Sequence, residues 1–155
     1  MKRWLWLIGA AVAVAVLNGN ASPGKDVGKL QPVEVVYLAC CEGGVAIETD
    51  TGDLGTGANL AEAMEDMKAA APGEVFLETA DHLLLSPECI DLMPALMSIL
   101  RPSCSVCLTE GALDMEQVGL FLRVHRPRST LARYRAGERG IETLVTGEGR
   151  IELVS

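Results

Sequence analysis

From residue 33 onward the chain shifts between two hydrophobic rhythms, one nearly unbroken over short runs and one of period 3.6. Val33 to Cys40 (VEVVYLAC) is almost continuously apolar, which predicts a central strand buried on both faces. Glu42-Gly43-Gly44 breaks the run as a turn, and Val45 to Asp50 predicts the returning strand of a hairpin. Leu60, Ala63, Met64, Met67 and Ala71 then recur at helical spacing. Asn59 is a good N-cap, Glu62 reaches back to complete a capping box, and Pro72-Gly73 stops the helix. Gly52, Gly55 and Gly57, between strand and helix, read as a tight turn that needs positive φ angles.

The alternation continues. Glu74 to Glu78 predicts a third strand, and Leu83 to Leu85 a short fourth one after Thr79-Ala80-Asp81-His82. Ser86 caps a helix with Pro87 at its first position and an apolar stripe of Ile90, Met93, Met97 and Leu100; Pro94 kinks or divides it, and Arg101-Pro102 ends it. Cys104 to Thr109 predicts a further strand. Asp114 and Gln117 box the start of a helix that turns Val118, Phe121 and Leu122 inward and closes at His125-Arg126-Pro127. Ser129 to Ala136 predicts a short helix, and Ile141 to Val145 pairs with Arg150 to Val154 as a terminal hairpin. The fold class is α/β (α+β mixed): a single layered domain, a mixed sheet covered by helices, with hairpins at both ends.

The first residues follow another logic. Lys2 and Arg3 precede an uncharged apolar run, Leu5 to Leu17, and Gly19-Asn20-Ala21 offers small residues at cleavage positions. The run is short against the roughly 20 residues of a membrane span, so a cleaved signal and an uncleaved anchor both stand. No cysteine follows it where a lipoprotein carries its lipid. The predicted organisation is residues 1–21 as a hydrophobic export helix, 22–32 as a polar linker, and 33–155 as the domain. The location is then outside the cytoplasm, secreted or held at a membrane through the N-terminal segment.

Charge narrows the partners. There are 13 basic and 21 acidic residues; without Lys2 and Arg3 the balance is 11 against 21, a net charge of −10. Such a body has no general attraction for nucleic acid. The exception is local: Arg123, Arg126, Arg128, Arg133, Arg135 and Arg139 crowd one late segment. They form either a solvated face or a docking surface for an acidic protein partner or anionic lipid headgroups.

Candidate chemistry is thin. The glycines precede a helix start, but their spacing is not that of a dinucleotide or phosphate loop, no Lys follows, and Asp50 and Asp53 would repel phosphate. The same two aspartates offer a calcium reading without the spacing of a known loop. Five cysteines (Cys40, Cys41, Cys89, Cys104 and Cys107) cannot all pair within one chain. They read as buried small hydrophobes or as thiols of a reducing setting. Cys104-x-x-Cys107 suggests a redox or zinc pair, but in a strand side chains three apart face opposite ways. Asp81-His82 is half of a catalytic pair at most, since neighbours in sequence do not face each other. No catalytic set, cofactor motif or metal motif emerges.

One further pattern bears on function. Gly55-Thr56-Gly57-Ala58-Asn59-Leu60-Ala61-Glu62-Ala63, then Val75-Phe76-Leu77, then Asp81-His82-Leu83-Leu84-Leu85, then Leu100-Arg101-Pro102 resembles the N-terminal domain of the C subunit of spore germinant receptors, a spore germination lipoprotein family. The resemblance covers about Val33 to Leu122. It implies a strand hairpin, a G-x-G turn into a helix, a strand with a histidine near its end, and a helix closing at an arginine before another strand. It also implies an exported, non-enzymatic component that works by protein contact in sporulation or germination, beside membrane-embedded germination subunits at the spore inner membrane. The chain departs from the family in lacking the lipid-bearing cysteine and in being too short for its further domains. That favours a stand-alone relative in an anaerobic spore former. The alternative is an exported thiol- or metal-binding protein using Cys104 and Cys107.

Overall fold

A computed structural model describes residues 30–155 apart from Glu42 and Glu148. The predicted export segment, and all but the last three residues of the linker, lie outside the described residues. The strands are β1 (Leu30–Pro32), β2 (Val35–Cys41), β3 (Gly44–Thr49), β4 (Leu54–Gly57), β5 (Glu74–Phe76), β6 (His82–Leu85), β7 (Ser105–Glu110), β8 (Glu142–Gly147) and β9 (Arg150–Val154). The α-helices are α1 (Leu60–Ala70), α2 (Met93–Ile99), α3 (Met115–Val124) and α4 (Leu131–Arg135).

Seven strands form one mixed sheet in the order β4-β3-β2-β6-β7-β8-β9. The inner four, β2, β6, β7 and β8, run parallel, so each must be reached through a crossover containing helix. β3 and β4 extend one side antiparallel, and β9 extends the other. Strand alternation sends Val36, Leu38, Leu83, Leu85 and Val106 to one face and Val35, Leu84, Cys107 and Leu144 to the opposite face. The first face is covered by α1 (Leu60, Ala63, Met67), α2 (Met93, Leu96) and α4 (Leu131); the second is covered by α3 (Val118, Leu122). The mixed α/β architecture, with a hairpin at each end, therefore matches the hydrophobic rhythm. Gln31–Ser155 forms one compact unit.

The helix starts are built as their sequences dictate. In α1 the Asn59 carboxamide oxygen accepts the Glu62 N–H at 3.0 Å. Glu62 reaches back, but to the Ala58 N–H (3.0 Å) and the Asn59 side-chain amide (2.9 Å) rather than to the cap's own N–H. In α3 the Asp114 carboxylate accepts the N–H groups of Glu116 and Gln117, and the Gln117 side chain donates to it at 3.0 Å. Val118 and Leu122 are buried; Phe121 is half-buried and stacks on the His125 ring.

The glycine-rich stretch departs from the expected turn. Of the three glycines only Gly52 has positive φ (85°). Leu54–Gly57 is an edge strand, and Gly55 and Gly57 lie against α1. A Cβ on Gly55 would sit 2.1 Å from the Ala63 carbonyl oxygen, and one on Gly57 2.5 Å from the Ala63 nitrogen. Glycine is needed here because strand and helix backbones touch. Leu-Gly-Thr-Gly has no alternating apolar signal, so pairing with β3 decides its conformation.

Three other elements differ. The predicted strand Glu74 to Glu78 stops at Phe76, gives way to a 3₁₀ turn (Leu77–Thr79), and pairs outside the main sheet with β1, a strand in residues read as linker. Ser86 makes no helix cap; its hydroxyl accepts the Cys40 N–H at 3.2 Å. The helix is divided near Pro94, one of the two outcomes expected of that proline, but its first part, Pro87–Leu92, is a 3₁₀ helix and Pro94 falls in the first turn of α2.

Between α3 and α4 the chain passes from one face of the sheet to the other. Ser129 to Leu131 runs beside the start of β7, with Val106 N–H bonding to Ser129 O and Leu131 N–H to Cys104 O. Buried Pro127 lies just before it.

Candidate functional site

The parallel register places His82 beside Ser105, the first residues of β6 and β7. His82 Nδ1 and Ser105 Oγ are 2.6 Å apart, and Ser105 Oγ also donates to the Asp81 carbonyl oxygen at 3.3 Å. Both side chains are buried, at 6% and 1% exposure. Burial lowers the imidazole pKa, and the Asp81 charge opposes this only in part. The result is a histidine biased toward its neutral form and bonded to a buried hydroxyl. Asp81 and His82 do not act as a pair: the Asp81 carboxylate is bound by Arg101 and lies 3.5 Å from Arg126. Arg101 also donates through Nε to Ala80 O at 2.9 Å, and Arg123 pairs with Glu34 at 2.7 Å. Together these groups tie the entries of β2, β6 and β7 to the ends of α2 and α3. The Ser105 partnership escaped the sequence analysis. Its signal was two polar residues, each opening a run of apolar strand positions.

Cys40 and Cys89 form a disulfide between β2 and the 3₁₀ helix. An odd count of five excluded complete pairing, and these two are the ones that pair. Cys104 and Cys107 are buried free thiols packed in different cores, one on each face of the sheet. Burial pushes both pKa values up to about 12, so neither is a thiolate near neutral pH. The structure therefore does not bring the CxxC pair to one site.

Asp50 and Asp53, the calcium candidates, serve the turns around them. The Asp50 carboxylate accepts the Glu34 and Val35 N–H groups, and Asp53 accepts the Thr51 hydroxyl at 2.6 Å. Among the described residues no group of three or more His, Cys, Asp or Glu side chains could hold a metal ion.

The six arginines divide into three places. Arg123 and Arg126 belong to the ion-paired layer at the strand entries. Arg135 donates to the Met97 carbonyl oxygen, tying α4 to α2, and Arg139 lies 4.2 Å from the centre of the Tyr134 ring. Arg128 and Arg133 line a cleft of about 220 Å³ with Ser129, Thr130, Tyr134 and Ile141. Arg133 holds Glu138 at 3.4 Å and donates to Arg128 O at 3.1 Å; Glu142 accepts the Arg128 N–H. The cleft thus carries both signs of charge around an apolar floor that includes Val106. Arg128 and Arg133 are exposed at the cleft, and Arg123, Arg126, Arg135 and Arg139 are exposed as well.

No protein-family model, curated protein or solved structure matches this chain.

Proposed function

We propose that this chain is an exported or membrane-held, non-catalytic contact module related to the C subunit of spore germinant receptors. It binds protein partners in sporulation or germination, and membrane-embedded germination subunits are the first to test. The observation that carries the reading is where the resembling motifs fall. Gly55 and Gly57 serve close backbone approach, His82 bonds internally to Ser105, and Arg101 binds Asp81. Residues that hold a fold together are what a shared scaffold preserves, and a scaffold with its reactive groups buried favours binding over turnover.

The Cys40–Cys89 disulfide supports export, because such bonds persist in oxidising compartments. Among the described residues no helix is long and apolar enough to cross a membrane. The N-terminal segment, Met1 to Ala21, is the candidate anchor. Contact runs through the Arg128–Arg133 cleft and through exposed Arg126, two residues before Arg128 in the chain, whose guanidinium groups suit acidic side chains.

The test is crosslinking of the tagged protein in sporulating cells, with captured proteins identified by mass. Neutralising Arg126, Arg128 and Arg133 together should reduce capture of germination subunits while the fold stays intact. Equal capture by the triple variant would remove this surface. Failure to crosslink any envelope germination protein would remove the functional reading.

A further inference from the structure

The two edges of the main sheet are treated differently. On the β4 edge the outward N–H of Thr56 is taken by the Asp66 carboxylate from α1, at 2.8 Å, and the Thr56 hydroxyl lies 3.4 Å from the same oxygen. A helix side chain thus blocks an edge that would otherwise template pairing.

The β9 edge has no such guard. Arg150 faces Gly147 across the two-residue turn, and hydrogen-bonded positions alternate along an antiparallel pair. Arg150, Glu152 and Val154 therefore turn their backbone groups toward β8, while Ile151 and Leu153 turn theirs outward. Among the described residues nothing bonds to those outward groups. Ile151 and Leu153 are half-buried against the α3 core; Arg150 and Glu152 are exposed on the opposite face, beside exposed Val145 and Val154.

We propose that β9 pairs antiparallel with β9 of a second copy of this chain, about a two-fold axis through Ile151. Charge selects this register. With Ile151 opposite Ile151, Arg150 lies opposite Glu152 twice, at the close non-hydrogen-bonded positions where cross-strand pairs interact most. Moving the axis to Glu152 sets the two carboxylates against each other, which is unfavourable. Ile151 exchanges both backbone hydrogen bonds with its symmetry mate. The two isoleucines then continue the α3-side core across the axis. The interface is isologous and closes at two copies, because the far edge of each sheet is the one Asp66 blocks.

Sedimentation velocity of the full chain over a concentration series tests this. The expected result is a monomer–dimer equilibrium. Glu152→Arg, which sets arginine against arginine at both pairs, weakens it about tenfold or more. The double variant Arg150→Glu/Glu152→Arg reverses every pair and restores dimerisation. Leu153→Pro removes one outward N–H, a replacement edge strands tolerate, and serves as a second probe once its circular dichroism matches the parent. A monomer at every soluble concentration overturns the proposal. So does a dimer that Glu152→Arg leaves unchanged, or one the double variant fails to restore. None of these outcomes depends on capture of a germination protein, so this inference and the functional reading fail separately.

Discussion

Replacing Gly55 by alanine adds one methyl group where α1 meets β4. The new carbon would lie 2.1 Å from the Ala63 carbonyl oxygen, 2.4 Å from the Met67 nitrogen and 2.6 Å from the Met67 Cβ. Two of the three are backbone atoms, so no rotamer change relieves the contact. Ordinary contact begins near 3.4 Å, so strand and helix must part by about 1.3 Å, the difference from 2.1 Å. α1 keeps Leu60, Ala63 and Met67 buried against the sheet. A gap of 0.5–1 Å forfeits roughly a quarter to a half of the dispersion well, and burying a large apolar side chain contributes about 1.5–3 kcal/mol. Losing that fraction for Leu60 and Met67 gives about 1–3 kcal/mol, the usual range for overpacking. The midpoint of thermal unfolding, followed by circular dichroism at 222 nm, should fall by about 3–12 °C for a domain of this size. Gly140→Ala is the control, since a Cβ there meets nothing within 4 Å and φ is not positive. It should change stability by less than about 0.5 kcal/mol. If Gly55→Ala melts with the parent, the close-approach argument is wrong and the glycine serves some other need.

Two other predictions are independent of that contact. Opening Cys40–Cys89, by reductant or by replacing both cysteines with serine, frees a loop spanning a sequence separation of 49. Chain-entropy reasoning puts the loss at about 4 kcal/mol, readable as a lower urea midpoint; an unchanged midpoint would show that the bridge restrains nothing. His82 is held below its usual pKa, so the unfolded chain takes up a proton first as pH falls. The stability tied to its neutral form is full above about pH 6.5 and declines as pH drops from there toward the folded value. His82→Gln should flatten that part of the urea-midpoint profile, and an equally steep profile in the variant would assign the acid sensitivity elsewhere.

Legibility in the sequence followed range. α1 and α3 could be read because period, cap and stop signals all lie within about fifteen residues: Asn59 and Glu62 through Gly73, and Asp114 and Gln117 through Pro127. The terminal hairpin was equally local, two alternating runs across a short turn. β4 was not legible, because its strand character comes from β3 alongside and its glycines answer to a helix that begins after it. The Cys40–Cys89 bridge and the His82–Ser105 contact join residues 49 and 23 positions apart. Each depends on which strands become neighbours, and no local pattern encodes that. The arginine run is a different case: it is continuous in sequence, but α3 and α4 lie on opposite faces of the sheet, so Arg123 pairs with Glu34 while Arg133 lines the cleft with Arg128.

That last arrangement has a mechanical consequence. Because residues 125–130 pass by the rim of β7, the chain stitches the two outer layers through the fabric between them. α3 cannot lift away on one side without tugging α4 on the other, nor can either slip free while Ser129 and Leu131 stay fastened to Val106 and Cys104. The two helices should therefore surrender their amide protons to deuterium as a single event, although they never touch the same side of the sheet.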